Sequence, residues 1–424
     1  MTTFDRDVFS QRRQKLAVAV RKANQQQELG AIVVCAAFEE ERRRFRQNSY
    51  FYYLFGITEP GAVGLISLDG QATLYLPDFG GARSVWVDEQ VSLSSDHSLF
   101  GLAVIKPMGE VQRGYSSGTV FTAGGYQQLI NDIKKIFDKK GVVGGVWGET
   151  AGEVAICNLI QFLQQACLDG GVFYNGTAIV DALRRVKSEQ ELVLIRQAIN
   201  ITIAAHHVAA NVLRPGLKEC ELQAEIEAEF VRQGALLPAF PSIVGGGVKT
   251  TVLHYVENNR VLEKDDLVVV DIGAEYGYYA ADLTRTYPVS GKYSPRQREI
   301  YDWVLAAQQY AADIAKPGMF LRNAVAKEQS LHWHVTEFFK KQGLEKFFPH
   351  GLGHYMGLDV HDVGTYLEPL QPGDVFTIEP GLYLRDESIG VRIEDDYLVT
   401  VSGVTCLSAA LPKKAQELEN LINK

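Results

Sequence analysis

The chain has 424 residues, of which 46% are hydrophobic and 22% charged, and a formal net charge of −9. That length suits two or three domains with cores of ordinary size. The acidic balance excludes non-specific nucleic-acid binding, which needs a basic face. The five cysteines (35, 157, 167, 220 and 406) lack CxxC spacing, which excludes a disulfide framework or a cysteine-ligated zinc and predicts buried free thiols.

The opening MTTFDRDVFSQRRQK lacks the apolar core of a signal peptide, and no run of about 18 apolar residues follows. The expectation is a cytoplasmic chain with no membrane span. Residues 1–180 read as an α/β domain. A helical pattern over Val8–Gln25 leads into AIVVCAAF (Ala31–Phe38), short enough for a buried strand. Glu41 and Arg42–Arg44 read as a solvated surface, and the aromatic run from Tyr50 to Phe55 as core. Apolar runs at Ala62–Leu68 and Ala72–Leu76 flank Asp69-Gly70, a hairpin signal. Helices are predicted near Gly125–Phe137 and Ala151–Ala166. This half carries no cluster of ligand-type residues.

A second domain, residues 181–424, opens with a capping box at Ser188 and Glu191. Leu192, Ile195, Ile199 and Ile203 recur at helical spacing until Arg214-Pro215-Gly216 breaks the helix. His206-His207 lies within it and reads as structural or surface. A second helix shows Leu222, Ile226 and Phe230 on one face and ends at Gly234. After Pro241 come strands and glycine turns, then helices over Ser294–Ile314 and Ala324–Lys341. The latter turns His332 and His334 to solvent.

The metal-binding side chains concentrate in HGLGHYMGLDVHD (His350–Asp362), TIEPG (Thr377–Gly381) and VRIEDD (Val391–Asp396). Glycines at 351, 353, 357 and 364 oppose a long helix, so a strand or loop must present the imidazoles. The helical HExxH reading of a zinc protease therefore fails. Asp271 and Asp282 are eleven residues apart around Tyr276-Gly277. A centred hairpin would make them directly opposed, with Cβ atoms about 4.5–5.5 Å apart. Glu379 and Glu394 repeat the pattern around Asp386-Glu387. Like charges on buried strand ends need a cation or a proton. Four carboxylates suit two divalent ions about 3.5–4 Å apart. One imidazole among oxygens favours Mn, Co, Fe or Zn over copper. The competing reading pairs these acids with Arg285 and Arg392.

VLHYVEN (Val252–Asn258), DIGAEY with DLTRTYPV, HGLGHYMGLDVHD, EPGLY and RIEDD resemble, in order, the motifs of the pita-bread metallopeptidase family. The branch they match is that of aminopeptidase P and prolidase. RQNSYFYYLFGITEP (Arg46–Pro60) resembles that branch's N-terminal domain. The resemblance implies a creatinase-like α/β N-terminal domain followed by an α+β pita-bread catalytic domain with two divalent metals, usually manganese. It implies that Asp271 holds one metal, His354 and Glu379 the other, and that Asp282 and Glu394 bridge both. Glu379 also matches the general base. His254 and His361 match the substrate-side histidines that stabilise the tetrahedral intermediate and the leaving proline, with Arg392 a supporting arginine there. His350 carries over no ligand role and reads as structural.

The implied reaction is hydrolysis of Xaa-Pro bonds in proline-containing peptides by a water bridging two metals. The resemblance favours aminopeptidase P, with the dipeptide-preferring prolidase as the alternative: DLTRTYPV and HYVEN look like the former, and Gly353 in HGLGH like the latter. A non-enzymatic pita-bread binding module typically loses metal ligands, and all five are present. The branch further implies a homodimer or homotetramer, with Trp86 loosely matching an aromatic that reaches a neighbour's site.

Overall fold

A computed structural model of the protein describes residues 7–23, 29–40, 44–140, 142–146, 154–167 and 173–422. Glu41, Arg42 and Arg43, and the start of the helix predicted from Ala151, lie outside them. The chain divides between Arg184 and Arg185 into two compact units.

The N-terminal unit is built on a six-stranded mixed sheet. Its strands are β1 (Leu29–Cys35), β2 (Val63–Ser67), β3 (Ala72–Leu76), β4 (Val104–Pro107), β5 (Val142–Val146) and β6 (Tyr174–Asn175), in the order β4-β3-β2-β1-β5-β6. Its helices are α1 (Asp7–Ala23), α2 (Ser49–Phe55), a single turn α3 (Arg83–Trp86), α4 (Gln127–Lys140) and α5 (Val154–Cys167), with α6 (Thr177–Arg185) running to the division. Ala31, Val33 and Cys35 pack on apolar residues of α4 and α5 such as Leu129, Ile133, Leu159 and Leu163. The predicted hairpin is present, with Gly70 at φ 85° donating its N–H to Ser67 O. The aromatic run forms α2, capped by the Asn48 side chain, and Phe51, Leu54 and Phe55 are buried core. Trp86 stands exposed and stacks on Tyr115, with ring centroids 4.9 Å apart.

The second unit opens with α7 (Glu189–Val212), where Ser188 and Glu191 form the expected capping box. By length and composition α7 could cross a membrane, but most of its apolar stretch is buried in this unit's core. There it packs on α8 (Glu219–Arg232), which buries Leu222, Ile226 and Phe230 as its spacing predicts. The strands that follow are β7 (Leu237–Pro238), β8 (Ile243–Gly246), β9 (Leu267–Ile272), β10 (Ala274–Tyr276), β11 (Tyr279–Ala280) and β12 (Leu283–Pro288). They form two three-stranded sheets, β12-β9-β8 and β11-β10-β7. Next come α9 (Pro295–Ile314), capped by Ser294, and α10 (Leu331–Lys340). Strands β13 (Val375–Ile378), β14 (Gly381–Leu384), β15 (Ile389–Arg392), β16 (Asp395–Val399) and β17 (Val404–Cys406) follow, with α11 (Ala415–Ile422) last.

Several expectations are corrected. Helix α10 begins at Leu331 rather than Ala324: Asn323 Oδ1 ties up the N–H groups of Val325 and Ala326, and Ser330 caps the helix through Trp333 N. His332 and His334 are half-buried rather than turned to solvent, lying beside the rings of Phe348 and Tyr310. The cysteines are free, but Cys220 is exposed.

Candidate metal centre

Register decides which acids meet. In β13 to β16 every pairing, from Val375↔Leu398 through Ile378↔Asp395 to Gly381↔Arg392, keeps one register that sets Glu379 across from Glu394. Neither acid pairs within this hairpin. Glu379 donates its N–H to Leu352 O at 2.9 Å, and Glu394 donates to Thr284 O at 3.1 Å. The latter bond, an isolated bridge, ties the β13–β16 hairpin to β12.

The aspartates depart from the predicted alignment. Asp271 faces Thr284, and Asp282 is two positions short of it. The turn between β10 and β11 is Gly277-Tyr278, both left-handed at φ 57° and 72°, one residue beyond the midpoint of the two acids. A two-residue turn with both φ values positive matches the twist of a hairpin. The aspartates are therefore diagonal neighbours on one face, a relation that spans about 7–8 Å.

The histidine segment is a loop, as its glycines require, bridged to β13 through Tyr355↔Phe376. His354 N donates to Thr377 Oγ1 at 3.1 Å, and its Nδ1 lies 3.1 Å from Tyr355 O. A carbonyl only accepts, so Nδ1 carries the proton and Nε2 presents a lone pair. That lone pair faces Asp282 Oδ2 at 3.4 Å and Glu379 Oε1 at 3.6 Å. Ligand atoms of Asp282, His354 and Glu394 all lie within 4.8 Å of one another.

Three oxygens in this cluster, Asp271 Oδ1, Asp282 Oδ1 and Glu394 Oε1, are buried without a hydrogen-bond partner. Leaving a buried charged acceptor unsatisfied is costly. Burial raises the pKa values of Asp282 and Glu394 well above the carboxylate range and that of Glu379 less far, with repulsion from neighbouring acids adding to each. Oxygen-rich and starved of positive charge, the cluster fits divalent cations.

The competing arginine pairing holds for one acid only. Arg392 Nη2 donates to Asp271 Oδ2, while Arg285 pairs with Asp395 at 2.8 Å. Arg392 also donates to Tyr383 OH at 2.9 Å and Thr284 Oγ1 at 3.2 Å. Tyr383 in turn donates to His350 Nε2 at 3.0 Å. His350 thus ends a chain of hydrogen bonds that begins at Asp271, a relation missed in the sequence. Each of these residues stands in a motif singled out in the sequence (DIGAEY, DLTRTYPV, HGLGHYMGLDVHD, EPGLY and RIEDD), but nothing in the motifs links them. Burial, with Arg392 nearby, lowers the His350 pKa to about 4.

These groups line a cavity of about 550 Å³, walled by His254, His350, His361, Phe240, Val360 and Tyr383. The His361 ring stacks on His354 at 4.0 Å. Burial and the neighbouring imidazoles lower its pKa to about 4, so it is neutral at ordinary pH. His254 is exposed at the wall.

Antiparallel strands converging on buried acids and one free imidazole nitrogen, under an imidazole-walled cavity, define a metallohydrolase. Comparison with known proteins narrows this. The model of metallopeptidase family M24 matches residues 193–401, and that of the aminopeptidase P N-terminal domain matches residues 9–117. The chain is 33% identical over 414 residues to an Xaa-Pro aminopeptidase of Haemophilus influenzae, covering 89% of each. It is 28% identical over 439 residues to the human Xaa-Pro dipeptidase, covering 88% of this chain and 84% of that one. Its structure is similar to zinc-substituted Escherichia coli aminopeptidase P in complex with product, with a TM-score of 0.83, 31% identity and coverage of 100% and 99%. The protein belongs to metallopeptidase family M24, in the branch of Xaa-Pro aminopeptidases that carry the aminopeptidase P N-terminal domain.

Proposed function

We propose that the protein removes the N-terminal residue from peptides whose second residue is proline. Its catalytic domain would span residues 181–424, after an N-terminal domain of residues 1–180. The observation that carries this reading is the set of three orphaned carboxylate oxygens beside His354 Nε2 in a cavity walled by imidazoles.

Asp271, Asp282, His354, Glu379 and Glu394 would hold two divalent ions, manganese in preference to cobalt, iron or zinc. When bound, the ions supply a water of lowered pKa and polarise the scissile carbonyl. Glu379, whose proton affinity burial raises, would take the proton from the attacking water in its ionised form. Neutral His361 keeps one N–H to donate towards the developing oxyanion, and His254 serves the leaving proline nitrogen. Arg392, its donors committed to Asp271, Tyr383 and Thr284, acts by orienting Asp271 beneath the substrate. An Xaa-Pro bond has no N–H, so a site working through the carbonyl and leaving nitrogen suits it.

The enzyme would act in the cytoplasm as a homodimer or homotetramer, on peptides and without nucleic-acid or membrane partners. The test is hydrolysis of Xaa-Pro-Xaa tripeptides beside Xaa-Pro dipeptides by metal-stripped enzyme reloaded with each ion. Tripeptide cleavage with manganese is expected. Cleavage of dipeptides alone would make it a prolidase, and inactivity with every ion would make it a binding module.

A further inference from the structure

Outside the acid cluster, Lys187 and Asp362 form an ion pair that is buried almost completely. Lys187 Nζ donates to Asp362 Oδ2 at 2.9 Å and to Arg185 O at 3.2 Å, and the Lys187 and Asp362 side chains are each 1% exposed. Such a pair gains little over apolar packing, because removing both charges from water offsets their attraction. Its location supplies another reason for it. Asp362 directly follows His361, and neither ring nitrogen of His361 makes a hydrogen bond among the described residues. Apart from stacking on His354, the imidazole takes its direction from its own backbone.

That backbone is fixed at its next residue. Asp362 N donates to Tyr355 O, and Lys187 N donates to Gly373 O, each at 2.9 Å. Arg185 lies over the Tyr355 ring at 5.2 Å and donates to Asp374 at 2.8–3.0 Å. Segment 185–187 is thus fastened to the residues that follow His354 and His361 in sequence. Gly357 belongs to the same arrangement: a Cβ there would collide with Asp362 Oδ2 and Lys187 Cε, so the ion pair fills that space.

We propose that the Lys187–Asp362 ion pair is a positioning device for His361, holding its imidazole on line for the reaction. This rests on the role of His361 given above. Small misplacements of a catalytic group are expensive: a shift of about 1 Å can cost on the order of a hundredfold in rate.

The experiment measures kcat, KM, bound metal and Tm for K187M, K187R and D362N, with K187M also made in an H361A background. Expected are a roughly ten- to hundredfold lower kcat for K187M, near-normal KM and metal content, and partial rescue in K187R. In H361A, adding K187M should cost little more, because the group it positions is gone. Independent multiplication of the two losses would overturn the proposal, as would a K187M enzyme that loses Tm yet turns over normally when metal-loaded. Should K187M fail to fold, D362N, which keeps the shape and drops the charge, is read the same way. A fully active H361A would instead overturn the role given to His361 itself.

Discussion

Arg392 Nη2 donates to Asp271 Oδ2 at 2.5 Å, with side chains only 5% and 10% exposed. The same guanidinium reaches Tyr383 and Thr284, so one planar group fixes three acceptors around the acid cluster. Replacing it with methionine leaves Asp271 buried and unpaired. Breaking a buried ion pair in this way costs about 3–5 kcal/mol. For Arg392→Met, urea unfolding of stripped protein should show a loss of that order, and metal titration should show weakened affinity. Arg392→Lys should recover only part, since an ammonium cannot span the fork. Normal metal affinity in both variants would show that Asp271 needs no such support.

Removing and restoring metal should move protons. Burial, reinforced by neighbouring acids, makes Asp282 and Glu394 hold protons in the cation-free fold at pH values where the unfolded chain has lost them. A folded-state pKa above the unfolded value means that stability falls as pH rises through that interval. Bound cations reverse this by favouring the charged form. The Tm gap between metal-loaded and stripped protein should therefore widen as pH rises above the range in which the unfolded carboxylates ionise. Calorimetric titration of manganese at pH 6, in two buffers of different ionisation enthalpy, should report proton release. Identical heats in both buffers would count against it.

The two acidic pairs were legible to different degrees. Glu379 and Glu394 could be paired by spacing because their hairpin turns symmetrically through Arg385–Ser388, between Leu384 and Ile389. Asp271 and Asp282 slipped because Tyr278 accepts a left-handed φ of 72° that propensity assigns to glycine or asparagine. The conclusion survived because a shift of two positions keeps a side chain on the same face. What stays hidden is long in range: His350 to Tyr383 spans 33 positions and Lys187 to Asp362 spans 175. Local periodicity carries no information across such separations.

Gly273 sits between the two aspartates in the chain. A Cβ there would collide with the carbonyl oxygen of Ala281, a backbone atom that no rotamer change can move. Gly273→Ala should force β9 and β12 apart next to Asp282. The expected result is loss of metal binding and of peptide hydrolysis, with a Tm several degrees lower for about 1–3 kcal/mol of overpacking. Wild-type metal stoichiometry and activity would mean that the strands absorb the methyl elsewhere.

His206 gives a stability prediction independent of the metals. It is fully buried in α7, with Nε2 3.1 Å from Leu283 O and Nδ1 3.1 Å from Tyr287 OH. The carbonyl requires a proton on Nε2, which leaves Nδ1 to accept from the tyrosine. Burial lowers its pKa to about 3, with Arg285 adding to the effect, while an unfolded histidine titrates near 6.5. Below pH 6.5 the unfolded chain takes up a proton that the folded chain refuses. Its contribution is therefore complete above that pH and is lost as pH falls, by about 1.4 kcal/mol per unit. Between pH 6.5 and 5 the wild type should lose about 2 kcal/mol through this one group. His206→Gln keeps an amide donor and cannot titrate, so it should start less stable at pH 7.5 and close the gap as acid is added. Denaturant unfolding of both proteins across pH 7.5 to 4.5 decides the matter: converging curves support the assignment, and parallel curves mean that His206 does not resist its proton.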